Sequence, residues 1–275
     1  MLPDEVQAAA EHSDVEPVPA TGEIPTIETE AGEVPPASAP PVIREHDPFW
    51  GYTDLALVLG ILIGFVVAMI GAVGALAFFY PKLRTDPTPL LIPTQIALYA
   101  FVYLSFWLDF KTRYNKPVLR SLGWKPARIN LFLCAGGGVV LAFAISAIAA
   151  ALHTPTIASP FDKLTSSAVS TVLFGIMAVV LGPFFEELFF RGFIQPLLSR
   201  TFGVIAGILL TALLFGGLHA PEYSWAWQYA VAVSLAGAVF GWLRAKTNSI
   251  IPSTVMHGCF NAVSLFALAF KHTSS

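Results

Sequence analysis

Ionisable side chains inside long apolar runs are costly to bury, so each marks a place where the chain uses charge. In this sequence they are few and clustered. Glu186, Glu187 and Arg191 lie together, His219 stands near the end of the next apolar run, and His257 is followed four residues later by Asn261. Asp109 and His153 fall at the edges of other runs. A carboxylate that accepts a proton, two imidazoles and an amide donor can together activate water and stabilise an oxyanion. The same groups can instead form a buried hydrogen-bond network that only ties helices together. Three polar sets on three helices, with almost nothing polar between them, favour a site.

Helical geometry divides the labour. Glu187 and Arg191 are four apart, share a face and can pair, which lowers the burial cost of both and commits Glu187 to structure. Glu186 is rotated by about 100° from Glu187 and can face a different cavity. His257 and Asn261 point the same way. Cys259 is turned about 200° from His257, so the two cannot form a nucleophile–base pair on one turn. It and Cys134 lie inside apolar runs and read as buried, inert thiols, with no disulfide framework or metal-binding CxxC pattern.

The elements that must position these residues are membrane helices. The 275 residues are 55% hydrophobic and 12% charged, with a mean hydropathy of +0.68. Runs of about 20 apolar residues cross the hydrocarbon core as helices. Seven are expected: Leu55 to Tyr80, Leu90 to Phe110, Asn130 to Leu152, Thr165 to Arg200, Gly203 to His219, Trp225 to Leu243 and Ile250 to Phe270. The first holds Gly60 and Gly64 at small-xxx-small spacing, which predicts close packing within the chain in preference to helix dimerisation. Gly136, Gly137 and Gly138 interrupt the third and predict close backbone contact. No inverted repeat of the transporter kind is visible.

Charge separates a different kind of segment. Residues 1–54 hold twelve of the eighteen acidic residues and one basic residue, a balance of −11, while the remainder holds fourteen basic and six acidic residues, a balance of +8. The acidic segment is rich in proline and poor in large apolar residues, which predicts a disordered tail. It lacks the basic and apolar regions of a signal peptide. Ten basic residues near span ends fall on the side of the N-terminus and four on the other, which places the N-terminus in the cytoplasm.

The motifs Glu186-Glu187-x-x-x-Arg191, Phe215-x-x-x-His219 and His257-x-x-x-Asn261 occur in that order, with Phe190-Arg191-Gly192 and Ser249-Ile250-Ile251-Pro252 around them. In this they resemble the CPBP family (CAAX protease and bacteriocin-processing, also called Abi). That family includes type II CAAX prenyl endoproteases and bacterial relatives linked to bacteriocin maturation and immunity. Each motif alone is a weak signal; three in register are a strong one. The resemblance covers about residues 165–270.

The apolar runs predict an all-α, polytopic bundle of about seven helices, and the resemblance implies that it hydrolyses peptide bonds inside the membrane. It implies that Glu186 is the principal catalytic carboxylate and activates water with His219. It implies that His257 and Asn261 stabilise the oxyanion or hold the site, with Glu187 and Arg191 in support. Glu186, His219 and His257 are also an acceptable zinc set with an open fourth position. A metal-free glutamate mechanism uses the same residues and is the reading preferred. The domain layout expected is a tail (1–48), peripheral spans (49–160) and a catalytic domain (161–272). The partners expected are membrane lipids and a peptide or protein substrate, lipidated or not; nucleic acid is not one. A non-catalytic scaffold or immunity protein of the same fold is the alternative, and a proton-coupled transporter is disfavoured.

Overall fold

The computed structural model describes residues 47–86, 88–157 and 168–273. Among them are seven long helices: α1 (Tyr52–Phe79), α2 (Thr88–Asp109), α3 (Leu131–Ala151), α4 (168–202), α5 (Val204–His219), α6 (Trp227–Thr247) and α7 (Ile251–Thr273). Each falls where an apolar run predicts it, with ends shifted by a few residues. The acidic tail expected to be disordered lies outside the described residues, apart from its last few.

The protein is an all-α, multi-pass integral membrane bundle. Among the described residues five stretches are long and apolar enough to cross a bilayer: α1, α2 with its continuation to Tyr114, α3, α4, and α5 with the turn to Tyr223. α6 and α7 are not among them; α6 carries Arg244 and Lys246 and α7 carries His257 and Asn261. Large apolar side chains cover the outer surface, including Ile63, Val67 and Ile70 on α1 and Phe132, Val140 and Phe143 on α3. That pattern suits hydrocarbon as the solvent.

Two apolar clusters hold the bundle. The larger joins α1, α2, α4 and α5 through Trp50, Val58, Phe106, Phe110, Leu188, Phe193 and Phe215. Trp50 precedes α1, yet it is buried, and its indole N–H donates to the Phe193 carbonyl at 3.1 Å. The chain is thus anchored to the middle of α4 before the first span begins. The smaller cluster joins α3, α6 and α7 through Ile145, Ala232, Ala236 and Phe240. Here the glycine triplet acts as expected at one position. A Cβ on Gly138 would collide with the Met256 backbone carbonyl, so its absence lets α3 and α7 touch backbone to backbone.

Gly60 and Gly64 correct an expectation. Among the described residues nothing lies within 4 Å of where their side chains would begin, so they make no close contact there. Small-residue spacing allows a helix to be approached, but supplies no helix to approach it. α1 instead meets α2 through larger groups, with Phe65 stacked on Phe101 at 4.0 Å between ring centroids.

α4 is not one uniform helix. It runs as α-helix over Ala168–Ile176, π-helix over Met177–Leu181, α-helix over Gly182–Glu186, π-helix over Glu187–Ile194 and α-helix over Gln195–Phe202. A π turn bonds i to i+5 and rotates the residues beyond it; such turns concentrate at functional sites. Pro183 lies between the two π stretches, at the second position of the short α segment.

Candidate active site

The second π stretch begins at Glu187, and the site is built around its start. Glu187 and Arg191 are completely buried, and Arg191 Nη1 lies 3.0 Å from Glu187 Oε1. Arg191 also donates through Nη2 to the Gly237 carbonyl of α6 at 2.9 Å. Its guanidinium sits over the Phe215 ring at 4.4 Å and faces Phe240 at 5.5 Å. The ion pair is therefore enclosed by aromatic faces and a backbone acceptor, a setting in which cation–π attraction is not diluted by water.

His257 on α7 lies between the two glutamates. Its Nδ1 is 3.2 Å from Glu187 Oε1, and its Nε2 is 3.6 Å from Glu186 Oε2. The imidazole stacks on Phe240 at 4.6 Å. α7 comes this close because the residue after His257 is Gly258, where a Cβ would fall 2.6 Å from the Val179 carbonyl. The two carboxylates differ in access: the Glu187 side chain is sealed, whereas that of Glu186 is 24% exposed. Glu186 was expected to face a different cavity from Glu187. Their oxygens instead flank the two nitrogens of one ring.

His219 closes α5. Its Nδ1 bonds the Phe215 carbonyl at 2.7 Å. A carbonyl only accepts, so Nδ1 carries the proton and Nε2 is left as the acceptor. His219 and His257 both pack on the Phe215 ring, at 4.5 and 5.7 Å between centroids. Asn261 donates through Nδ2 to the Ala178 carbonyl at 2.8 Å, in the first π stretch. It ties α7 to α4 one turn beyond His257.

Glu186, Glu187, Arg191 and His257 thus form one connected cluster, with His219 across one aromatic ring and Asn261 one turn away. Residues 168–263 match the family model described as type II CAAX prenyl endopeptidase Rce1-like. They form a CAAX-protease-like domain. The matched segment holds every one of these six residues and spans about a third of the chain; α1 to α3 lie outside it. No curated protein and no solved structure matches the chain.

Within the CAAX-protease-like domain the buried His257–Glu186–Glu187 cluster is consistent with glutamate- and histidine-based hydrolysis: an accessible carboxylate lies beside an imidazole whose far side is anchored. Among the described residues no group of three His, Cys, Asp or Glu side chains converges enough to hold a metal ion. His257 turns both nitrogens to carboxylates and His219 commits Nδ1 to the backbone. The trio Glu186, His219 and His257 is not among such groups. Cys134 and Cys259 are free cysteines.

Several partners have no signature in the sequence. Phe215 appears there only as the first letter of a motif, yet it is the surface on which both histidines and Arg191 rest. Phe240 and the Gly237 carbonyl come from α6, which has no motif at all. A cue exists for Phe240, a large aromatic in the stretch preceding the last motif, but nothing distinguishes it from the other phenylalanines.

Proposed function

We propose that this protein is an intramembrane endopeptidase that hydrolyses a peptide bond in a membrane-associated, lipidated peptide or protein. The observation that carries the reading is the contrast at the head of the π stretch. Glu187 is sealed and spent on Arg191 and His257, while Glu186 is open and turns one oxygen to the same imidazole. A site built only to hold helices together has no use for a partly exposed second carboxylate.

In the proposed reaction Glu186 and the free Nε2 of His219 orient a water molecule, and Glu186 takes its proton. The hydroxide forms a bond to the scissile carbonyl carbon, and the carbonyl electron pair moves onto oxygen. His257, held at Nδ1 by Glu187, turns Nε2 toward that oxyanion to stabilise it. The intermediate collapses, the carbon–nitrogen bond breaks, and the leaving amine takes the proton back from Glu186. Arg191 keeps Glu187 charged and in place, and Asn261 fixes the height of α7 against α4.

The same reading takes all seven long helices as spans with the N-terminus in the cytoplasm. Residues 161–272 are then the catalytic domain, 49–160 peripheral spans and 1–48 a tail. The test is a comparison of membrane-peptide profiles in cells carrying the wild-type chain or Glu186→Gln. A substrate accumulates uncut in the variant, and its cleavage products disappear. Identical profiles contradict a peptidase role.

A further inference from the structure

The two oxygens of Glu186 look toward different helices. Oε2 faces His257 on α7. Oε1 faces Gly182, one turn earlier on α4, where an added Cβ would lie 3.6 Å from Oε1 and 3.2 Å from the hydroxyl of Tyr99. Tyr99 stands on α2, outside the matched segment. Its ring stacks on Phe185, the residue before Glu186, at 4.8 Å with 12° between planes, which fixes the direction of the phenol. Its charged neighbours include Glu186 and Glu222, and Gln95, one turn away on α2, is within hydrogen-bonding reach of its hydroxyl.

Glycine at 182 is what admits the phenol. A Cβ there would also fall 3.0 Å from the Met177 carbonyl, so any side chain would be wedged between the π stretch and the Tyr99 hydroxyl. A partly buried tyrosine packs its ring and points its hydroxyl at a polar partner. Here that hydroxyl, with Gln95 of the same helix beside it, is delivered into the space next to the reactive carboxylate.

We propose that Tyr99 is a further catalytic residue: its hydroxyl donates to the scissile carbonyl oxygen as that oxygen becomes an oxyanion, from the side of Glu186 opposite His257. This role rests on the peptidase reading above. The phenol keeps its proton throughout; it stabilises charge while Glu186 moves the proton from water to the leaving amine. The consequence for the molecule is that the active site is not confined to the matched domain. Its wall is completed by α2.

The test uses the full chain in proteoliposomes and an internally quenched peptide ending in a farnesylated CAAX-type sequence. Wild type, Tyr99→Phe and Gly182→Ala are compared for kcat, KM and thermal stability. Phenylalanine keeps the stack on Phe185 and removes only the hydroxyl. Loss of one oxyanion donor lowers kcat by about 10²-fold or more. An interaction made only in the transition state lowers kcat and kcat/KM together, so KM stays within about twofold. Gly182→Ala moves kcat in the same direction by displacing the hydroxyl. A Tyr99→Phe chain with kcat within about threefold of wild type, or with a change confined to KM, overturns the role. Failure of the wild-type chain to cut the peptide removes the peptidase reading and this role with it, an outcome distinct from an active wild type with an equally active Tyr99→Phe.

Discussion

The protein buries two pairs of carboxylates, each with an arginine four residues after one member, and uses them differently. At the site, Glu187 pairs with Arg191 at 3.0 Å and both are sealed, while Glu186 stays partly open beside an imidazole. Near the start of α1, Asp54 lies beside Asp109 of α2, with Arg113 at 2.8 Å from Asp54 and 3.5 Å from Asp109. There the arginine is 38% exposed and the acids are buried. Asp54 also accepts from the Gly51 backbone N–H at 2.7 Å and from the Tyr114 hydroxyl at 2.8 Å. Its acceptor capacity is taken up by fixed donors, so it has nothing left to offer a water or a substrate. The Glu186 side chain, by contrast, is 24% exposed. An arginine is common to both pairs; what separates a strut from a candidate reagent is access, since Asp109 is sealed and Glu186 is not.

The largest expected effect is on the sealed pair. Arg191→Ala leaves Glu187 charged and enclosed, which typically costs about 3–5 kcal/mol. Thermal unfolding in detergent should show Arg191→Ala melting well below Glu186→Ala; equal melting temperatures would dissolve the division between support and reagent.

Asp54→Ala comes next. It orphans the Tyr114 hydroxyl and removes the acceptor for the first turn of α1, at about 1–3 kcal/mol. Peptide cleavage per folded molecule should not change. If cleavage falls with stability unchanged, the second pair is part of the working site and the contrast is wrong.

Arg113→Ala should have the smallest effect of the three. Its side chain is more than a third exposed, so screening limits its contribution to about 1 kcal/mol or less. A loss as large as that of Arg191→Ala, measured in the same melt, would mean that exposure does not decide the strength of these pairs.

Much of this was legible in the sequence because the bilayer imposes simple requirements. Long apolar runs located all seven helices, and the four-residue spacing of Glu187 and Arg191 announced their bond. What was hidden depends on backbone register. Nothing in the residues 177–194 signals two π stretches, so an ideal helix sends Glu186 and Glu187 to separate cavities, whereas here both reach His257. Tyr99 was hidden for a different reason: Gln95 and Tyr99, four apart in an apolar span, read as a local polar pair, and only the tertiary approach of α2 to Gly182 reveals where the phenol stands. Gly60 and Gly64 mark the converse limit, since a pattern that permits contact says nothing about which helix arrives. Asp109 was visible at a span edge, but its neighbour Asp54 read as part of the acidic segment, because composition cannot show that Trp50 and Asp54 are already buried.

The central claim is that Glu186 is the unspent, working carboxylate of the molecule. It is tested most directly by assaying Glu186→Gln and Asp109→Asn side by side in proteoliposomes, each beside its melting curve. Glutamine keeps the shape and removes the base, so Glu186→Gln should lose cleavage by about 10²-fold or more at an unchanged melting temperature. Asp109→Asn should keep its cleavage per folded molecule. Full activity in Glu186→Gln, or an equal loss in both variants, would contradict the account.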